Sequence, residues 1–202
     1  EIIDRGEASV DLLHRILTSS NDDHIRVAAV IALYRINQPA AIDAVRDGLD
    51  DTSVLVRTAT ARVLGMAKDL KAVDKLTEKV LKDSASVRRQ AATALGQIGD
   101  DRAISALLEA SANPNDRIVE HAIIYSLITL SKPAAVVLAL QHPSENVRRS
   151  ALIALDQMEQ GITVFDREYQ LTCWNRQFRT LFDLPDEFGQ VGTSLTSIVN
   201  YL

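Results

Sequence analysis

The chain has 202 residues, a formal net charge of −5 and a sequence pI of about 5.4, which argues against the basic footprint of a nucleic-acid binder. Its 47% hydrophobic content includes only 4% aromatics, so the core is expected to be built from Ala, Leu, Ile and Val, a composition suited to close helix packing. Cys173 stands alone, which excludes an internal disulfide and points to a reducing compartment, the cytoplasm; no apolar run reaches the ~18 residues of a membrane span.

The opening Glu1-Ile2-Ile3-Asp4-Arg5 resembles no signal peptide. A chain that starts without Met and stops at Tyr201-Leu202 reads as a piece of a longer protein. Ala8, Val10, Leu13 and Leu17 then mark an apolar stripe, the second helix of an incomplete pair.

From here a phrase returns about every 31 residues, a period that signals a stacked array. Its copies are Ile25-Arg26…Ala29…Ala32-Leu33, Val56-Arg57…Val63-Leu64-Gly65 and Val87-Arg88…Ala91…Ala94-Leu95-Gly96. Two looser ones follow, Val119-Glu120…Ser126-Leu127 and Val147-Arg148…Ala151…Ala154-Leu155. In each, the second apolar anchor falls eight residues after the first, on one helical stripe. Asp83-Ser84 supplies an N-cap and Gly99 a left-handed stop for the third copy. Second helices read Ala41-Ile42…Val45, Ala72-Val73…Leu76, Ala103-Ile104…Leu107-Leu108 and Ala135-Val136…Leu138, with Pro133 ahead of the last. Each unit is thus predicted to be a helical hairpin, with Ala29, Leu33, Leu64, Ala91, Leu95, Leu127 and Leu155 buried. The fifth copy, over 147–158, has no second helix.

The motif Asp83…Val87-Arg88…Ala91…Ala94-Leu95-Gly96-Gln97-Ile98-Gly99-Asp100…Ala103-Ile104…Leu107 resembles the HEAT family, in its bacterial lyase-like variety. The resemblance covers residues 1–160 and implies a mainly α solenoid. Arg26, Arg57, Arg88 and Arg148 recur in register, with Glu120 interrupting the series. They form either a basic stripe for phosphate or an acidic partner, or a repeat-junction ladder in which each pairs with an Asp such as Asp51 or Asp83. The ladder is the preferred reading.

After residue 160 the composition changes: aromatics before it are Tyr34 and Tyr125, while seven follow. Ile162, Val164 and Leu171, Cys173 alternate with their neighbours, predicting a β-hairpin turning at 166–169. Asn175 then caps a helix bearing Phe178, Leu181 and Phe182, which Pro185 ends. The run Gly161-Ile162-Thr163-Val164-Phe165-Asp166, Leu171-Thr172-Cys173-Trp174-Asn175, Phe178…Leu181-Phe182…Leu184-Pro185 and Val191-Gly192-Thr193…Ile198-Val199 resembles the N-terminal half of a PAS domain, as in bacterial sensor histidine kinases. The resemblance places Phe165, Trp174, Asn175, Phe178 and Phe182 in a core or pocket, and implies further strands, open sheet edges and a homodimer through this α/β segment.

No constellation assembles a catalyst. His14, His24, His121 and His142 are scattered without metal-ligand spacing, and Gly189-Gln190-Val191-Gly192-Thr193-Ser194 lacks the Lys of a phosphate loop. Cys173 has no nearby His and reads as a small buried residue. No metal, cofactor or nucleic acid is expected. The leading expectation is a protein-interaction and sensory-input region of a larger bacterial signalling protein, upstream of a histidine kinase output and joined directly through Met158-Glu159-Gln160-Gly161. The alternative is an accessory HEAT-like subunit of the bilin lyase type, holding a chromophore or its acceptor protein, though an array with two tyrosines offers few aromatics for such a groove. A HEAT-like DNA glycosylase is disfavoured by the acidic balance and by the absence of Trp from 1–160.

Overall fold

The computed structural model describes residues 2–113, 116–158 and 161–201. Contacts group the chain into two compact units, Glu1–Leu130 and Ser131–Leu202. The boundary read from composition, at 160, falls inside the second of these. The direct join read at 158–161 includes Glu159 and Gln160, which lie outside the described residues.

The described residues of the first unit are helical and connecting segments. The lead-in stripe lies on α1 (Ile2–Ser19). The repeated phrase becomes α2 (Asp23–Ile36), α4 (Val54–Met66), α6 (Ala85–Ile98) and α8 (Arg117–Leu130). The intervening runs become α3 (Pro39–Val45), α5 (Val73–Lys82) and α7 (Ala103–Ala110). α2, α4, α6 and α8 lie side by side in one layer, while α3 packs on α1 and α2, and α5 on α6 and α7. Helix ends follow from local chemistry. The Asp22 carboxylate accepts from the backbone N–H groups of His24 and Ile25, and Gly99 closes α6 at φ 81°.

Small residues set the spacing of the layer. A methyl group built on Gly65 would lie 2.7 Å from Cα of Ala94, and one on Gly96 3.0 Å from Cα of Ser126. Ala94 and Ser126 occupy the seventh position after their copies' first anchors, so this flank faces the preceding first helix. Ser126 also places its hydroxyl 2.7 Å from the Ala92 carbonyl, tying α8 to α6 inside the core. The anchors Ala29, Leu33, Leu64, Ala91, Leu95 and Leu127 are all buried. Ile25 is a correction: expected as an anchor, it is half exposed. It sits on the flank that later copies turn toward a preceding first helix, and α4 packs elsewhere on α2.

The second unit contains α9 (Pro133–Leu138) and α10 (Glu145–Gln157), with Ala151, Ala154 and Leu155 buried. An antiparallel hairpin of β1 (Thr163–Phe165) and β2 (Leu171–Trp174) follows, pairing Val164 with Cys173 and irregular between Val164 and Phe165. Its turn is fastened by the Asp166 carboxylate, which accepts from the N–H groups of Glu168 and Gln170. α11 (Arg176–Phe182) stops because Asp183 turns left-handed at φ 49°, two residues earlier than the proline expected to end it. Pro185 instead precedes a 3-10 turn, Asp186–Phe188, and α12 (Leu195–Tyr201) closes the described chain. The outer edge of β2 is not open as expected. Residues 192–195 run along it, with Gly192 N–H donating to the Leu171 carbonyl and Leu171 N–H to the Thr193 carbonyl, both at 2.8 Å. The architecture is a mainly α solenoid with a short α/β segment. Among the described residues no helix is long and apolar enough to cross a membrane.

Candidate functional site

The in-register arginines differ in what they hold. Arg26 grips Asp51 through both carboxylate oxygens, at 2.7 and 2.9 Å, and donates to the Ser20 carbonyl at 2.7 Å. Arg57 repeats the fork on Asp83, at 2.9 and 2.7 Å, and donates to the carbonyls of Asp51 and Thr52. Arg88 donates to the carbonyls of Val80 and Ala110, and Arg148 to those of His142 and Pro143. Planar guanidinium groups suit such forks, and those of Arg26 and Arg57 are 11% and 15% exposed. Committed inside the junctions, they leave little charge for an external ligand.

Burial pushes the Asp51 carboxyl up, but the hydrogen bonds from Arg26 and the Ser53 N–H outweigh it and hold the group below the usual carboxylate range. Asp83 behaves alike: burial opposes, while Arg57 and the Ser84 N–H prevail. A second set of cross-links lies outside the repeated phrase. Arg46 forks onto Asp69 at 2.5 and 3.0 Å, and Lys75 and Lys79 converge on Asp50. Asp69 has an acid one period on, Asp100, which was an available signal; Asp50 has none, since Leu81 stands there.

A different feature lies on the exposed face of the first-helix layer. There α2, α4 and α6 enclose a groove of about 550 Å³. Its floor and walls include Val27, Ile31, Tyr34, Leu55, Val63 and Met66, and Arg35, Arg62 and Arg89 stand in its lining. Tyr34 occupies the register position that Gly65 and Gly96 hold in the next two copies, so bulk replaces the close contact there. Ile31, Leu55 and Met66 are each about two-fifths exposed, and Tyr125 and Ile118 on α8 more so. A polar cavity of about 540 Å³ also lies beside Asp47, Asp50 and Asp51, where Arg26 is already engaged.

In the second unit, Phe178, Leu184 and Ile198 form a small core against which Phe165, Trp174 and Phe188 pack. Phe182 meets Phe178 edge-on at 5.5 Å but is 41% exposed, at the margin of this cluster. Asn175 is buried and does more than cap. Its carboxamide oxygen accepts from the N–H groups of Ile162 and Phe178, and its amide donates to the carbonyls of Leu155 and Met158. It thus binds the end of α10 to the hairpin and α11. An open cleft of about 630 Å³ borders Trp174, Arg179 and Asp156, with Arg179 paired to Asp186. Burial pushes the Cys173 thiol up, away from the thiolate a nucleophile needs. Among the described residues no cluster of His, Cys, Asp or Glu is arranged to hold a metal.

The profile of HEAT repeats matches residues 3–61 and 46–128, together more than half of the chain, and that of the PAS fold matches residues 155–202. Among curated proteins no sequence matches. Two of the similar solved structures bear on the fold. One is a chain of the complex of CpcE and CpcF of phycocyanin lyase from Nostoc sp. PCC7120, at 27% identity and TM-score 0.57, covering 74% of this chain and 64% of that one. The other is human deoxyhypusine hydroxylase in complex with glycerol, at 22% identity and TM-score 0.55, covering 75% of this chain and 63% of that one; this likeness is one of fold. The chain therefore spans slightly less than two thirds of the length of each.

Proposed function

Because the chain belongs to the HEAT-repeat family, we propose that residues 1–160 form a protein-binding array, an accessory subunit of the bilin lyase type that holds an acceptor protein or its chromophore in the cytoplasm. The observation that carries this reading is the exposed face of the first-helix layer. Ile31 on α2, Leu55 and Met66 on α4, and Ile118 and Tyr125 on α8 stand exposed there, although the chain buries every repeat anchor except Ile25. Apolar side chains aligned in this way mark a contact surface more than a catalytic one. The likeness to a chain of a two-component phycocyanin lyase complex supports the accessory role.

A second reading is favoured by the PAS-fold match at 155–202: the array as the sensory input of a bacterial signalling protein with a histidine kinase output, paired through the 161–202 segment. Leu181, Val199 and Tyr201, all exposed, supply apolar surface for such pairing. Capture from native extract followed by crosslink mapping separates the two. The accessory reading expects a discrete acceptor protein crosslinked to α2, α4, α6 and α8. A kinase partner meeting 161–202 supports the second reading, and crosslinks scattered over all faces reject the protein-binding array.

A further inference from the structure

The chain is acidic as a whole, yet its first-helix layer is not. α4 and α6 carry no Asp or Glu, and α2 carries only Asp23, in its first turn. α8, at the far side of the layer from the groove, carries Glu120, and most other acids of the first unit lie at the turns and on the second helices, where Asp51, Asp69 and Asp83 already hold arginines. The guanidinium groups of Arg35, Arg62 and Arg89 are exposed and take no ion-pair or hydrogen-bond partner among the described residues. All three line one groove, beside the exposed apolar surface of Ile31, Leu55 and Met66. Three like charges around an apolar floor repel one another and leave that floor wet, and both costs are relieved by one kind of ligand.

We propose that this groove binds an acidic amphipathic helix of a protein partner. Its apolar stripe lies on Ile31, Leu55 and Met66, and its carboxylates meet Arg35, Arg62 and Arg89. The inference rests on the protein-binding reading and names the chemistry of the partner. A phosphate backbone would satisfy the arginines but leave the apolar floor unfilled, and an uncharged helix would do the reverse. The dimensions agree: helices packed about 8–10 Å apart make the α2, α4, α6 strip about 20 Å across, the length of a helix of about 13 residues at 1.5 Å per residue.

The test titrates the full chain with two labelled synthetic helices of about 14 residues, read by fluorescence anisotropy. Both carry Leu on one stripe, and the polar face is Glu in one and Lys in the other. A poly-dT oligonucleotide serves as a third probe. The Glu helix is expected to bind, to weaken with added salt, and to lose about tenfold or more in affinity in R62E. L55S is expected to weaken it as well, while K82E, an equal charge change on α5 away from the groove, leaves it within about twofold. Circular dichroism melts of the three variants confirm that each remains folded. Equal binding of the Lys helix, tighter binding of poly-dT, indifference to R62E, or no binding of the Glu helix overturns the proposal. If the Glu helix fails while native-extract crosslinks still fall on the array, the protein-binding reading stands and this partner chemistry falls alone.

Discussion

At Gly65 one missing methyl group decides how closely two helices pack. A side chain there would press on Cα of Ala94 at 2.7 Å, a backbone atom that cannot swing away. Gly65→Ala is therefore expected to destabilise the chain by about 1–3 kcal/mol, the usual cost of overpacking a filled core. Arg62→Ala, exposed on the same helix, should shift stability by no more than about 0.5 kcal/mol. Urea unfolding of both variants checks this; equal losses would mean that α4 and α6 do not cross at Gly65. The glycine was visible in the sequence as part of the repeated phrase, but its task was not, because close approach depends on the residue that faces it. Asn175 illustrates the same limit. Its capping bond to Phe178 is local and readable, whereas its bonds to Leu155 and Met158 span a fold that only tertiary structure brings together.

Among the elements, period was the readable signal. The eight-residue anchor spacing located α2, α4, α6, α8 and α10, and period-two alternation located the hairpin. Residues 192–195 were not readable as a flank of β2, since pairing of an irregular segment leaves no periodic trace. Between elements, the Arg26–Asp51 and Arg57–Asp83 forks join one repeat to the next, and their chemistry makes stability depend on pH. Both carboxyl groups titrate below their usual range in the folded chain, so folding releases protons relative to the unfolded state. The stability they contribute is complete above the unfolded carboxyl value, about pH 4, and is lost as pH falls through the lower folded values. Wild type is thus expected to lose its advantage over Asp83→Asn as pH drops below about 4. Urea midpoints measured across this range check it; a constant gap between the two proteins at every pH would contradict the linkage.

At the scale of the first unit, acids are kept away from the groove between α2, α4 and α6. Asp51, Asp69 and Asp83 lie at turns, and arginines with no partner among the described residues share the groove with Ile31, Leu55 and Met66. Among the arginines that recur in register, Arg26 and Arg57 serve the junctions. Arg35, Arg62 and Arg89 fall at different positions of their copies, so the repeat hides them, and only the side-by-side packing of α2, α4 and α6 brings them to one groove. The acid-free sequences of α4 and α6 were a trace of it available from the start. The central claim is that this face, and no other, receives the partner. Methyl NMR of the full chain titrated with the Glu-faced helix tests it most directly. The account predicts shifts concentrated at Ile31, Leu55 and Met66, with Leu107 and Val136 unmoved; shifts centred on residues 161–201, or spread evenly over the chain, would contradict it.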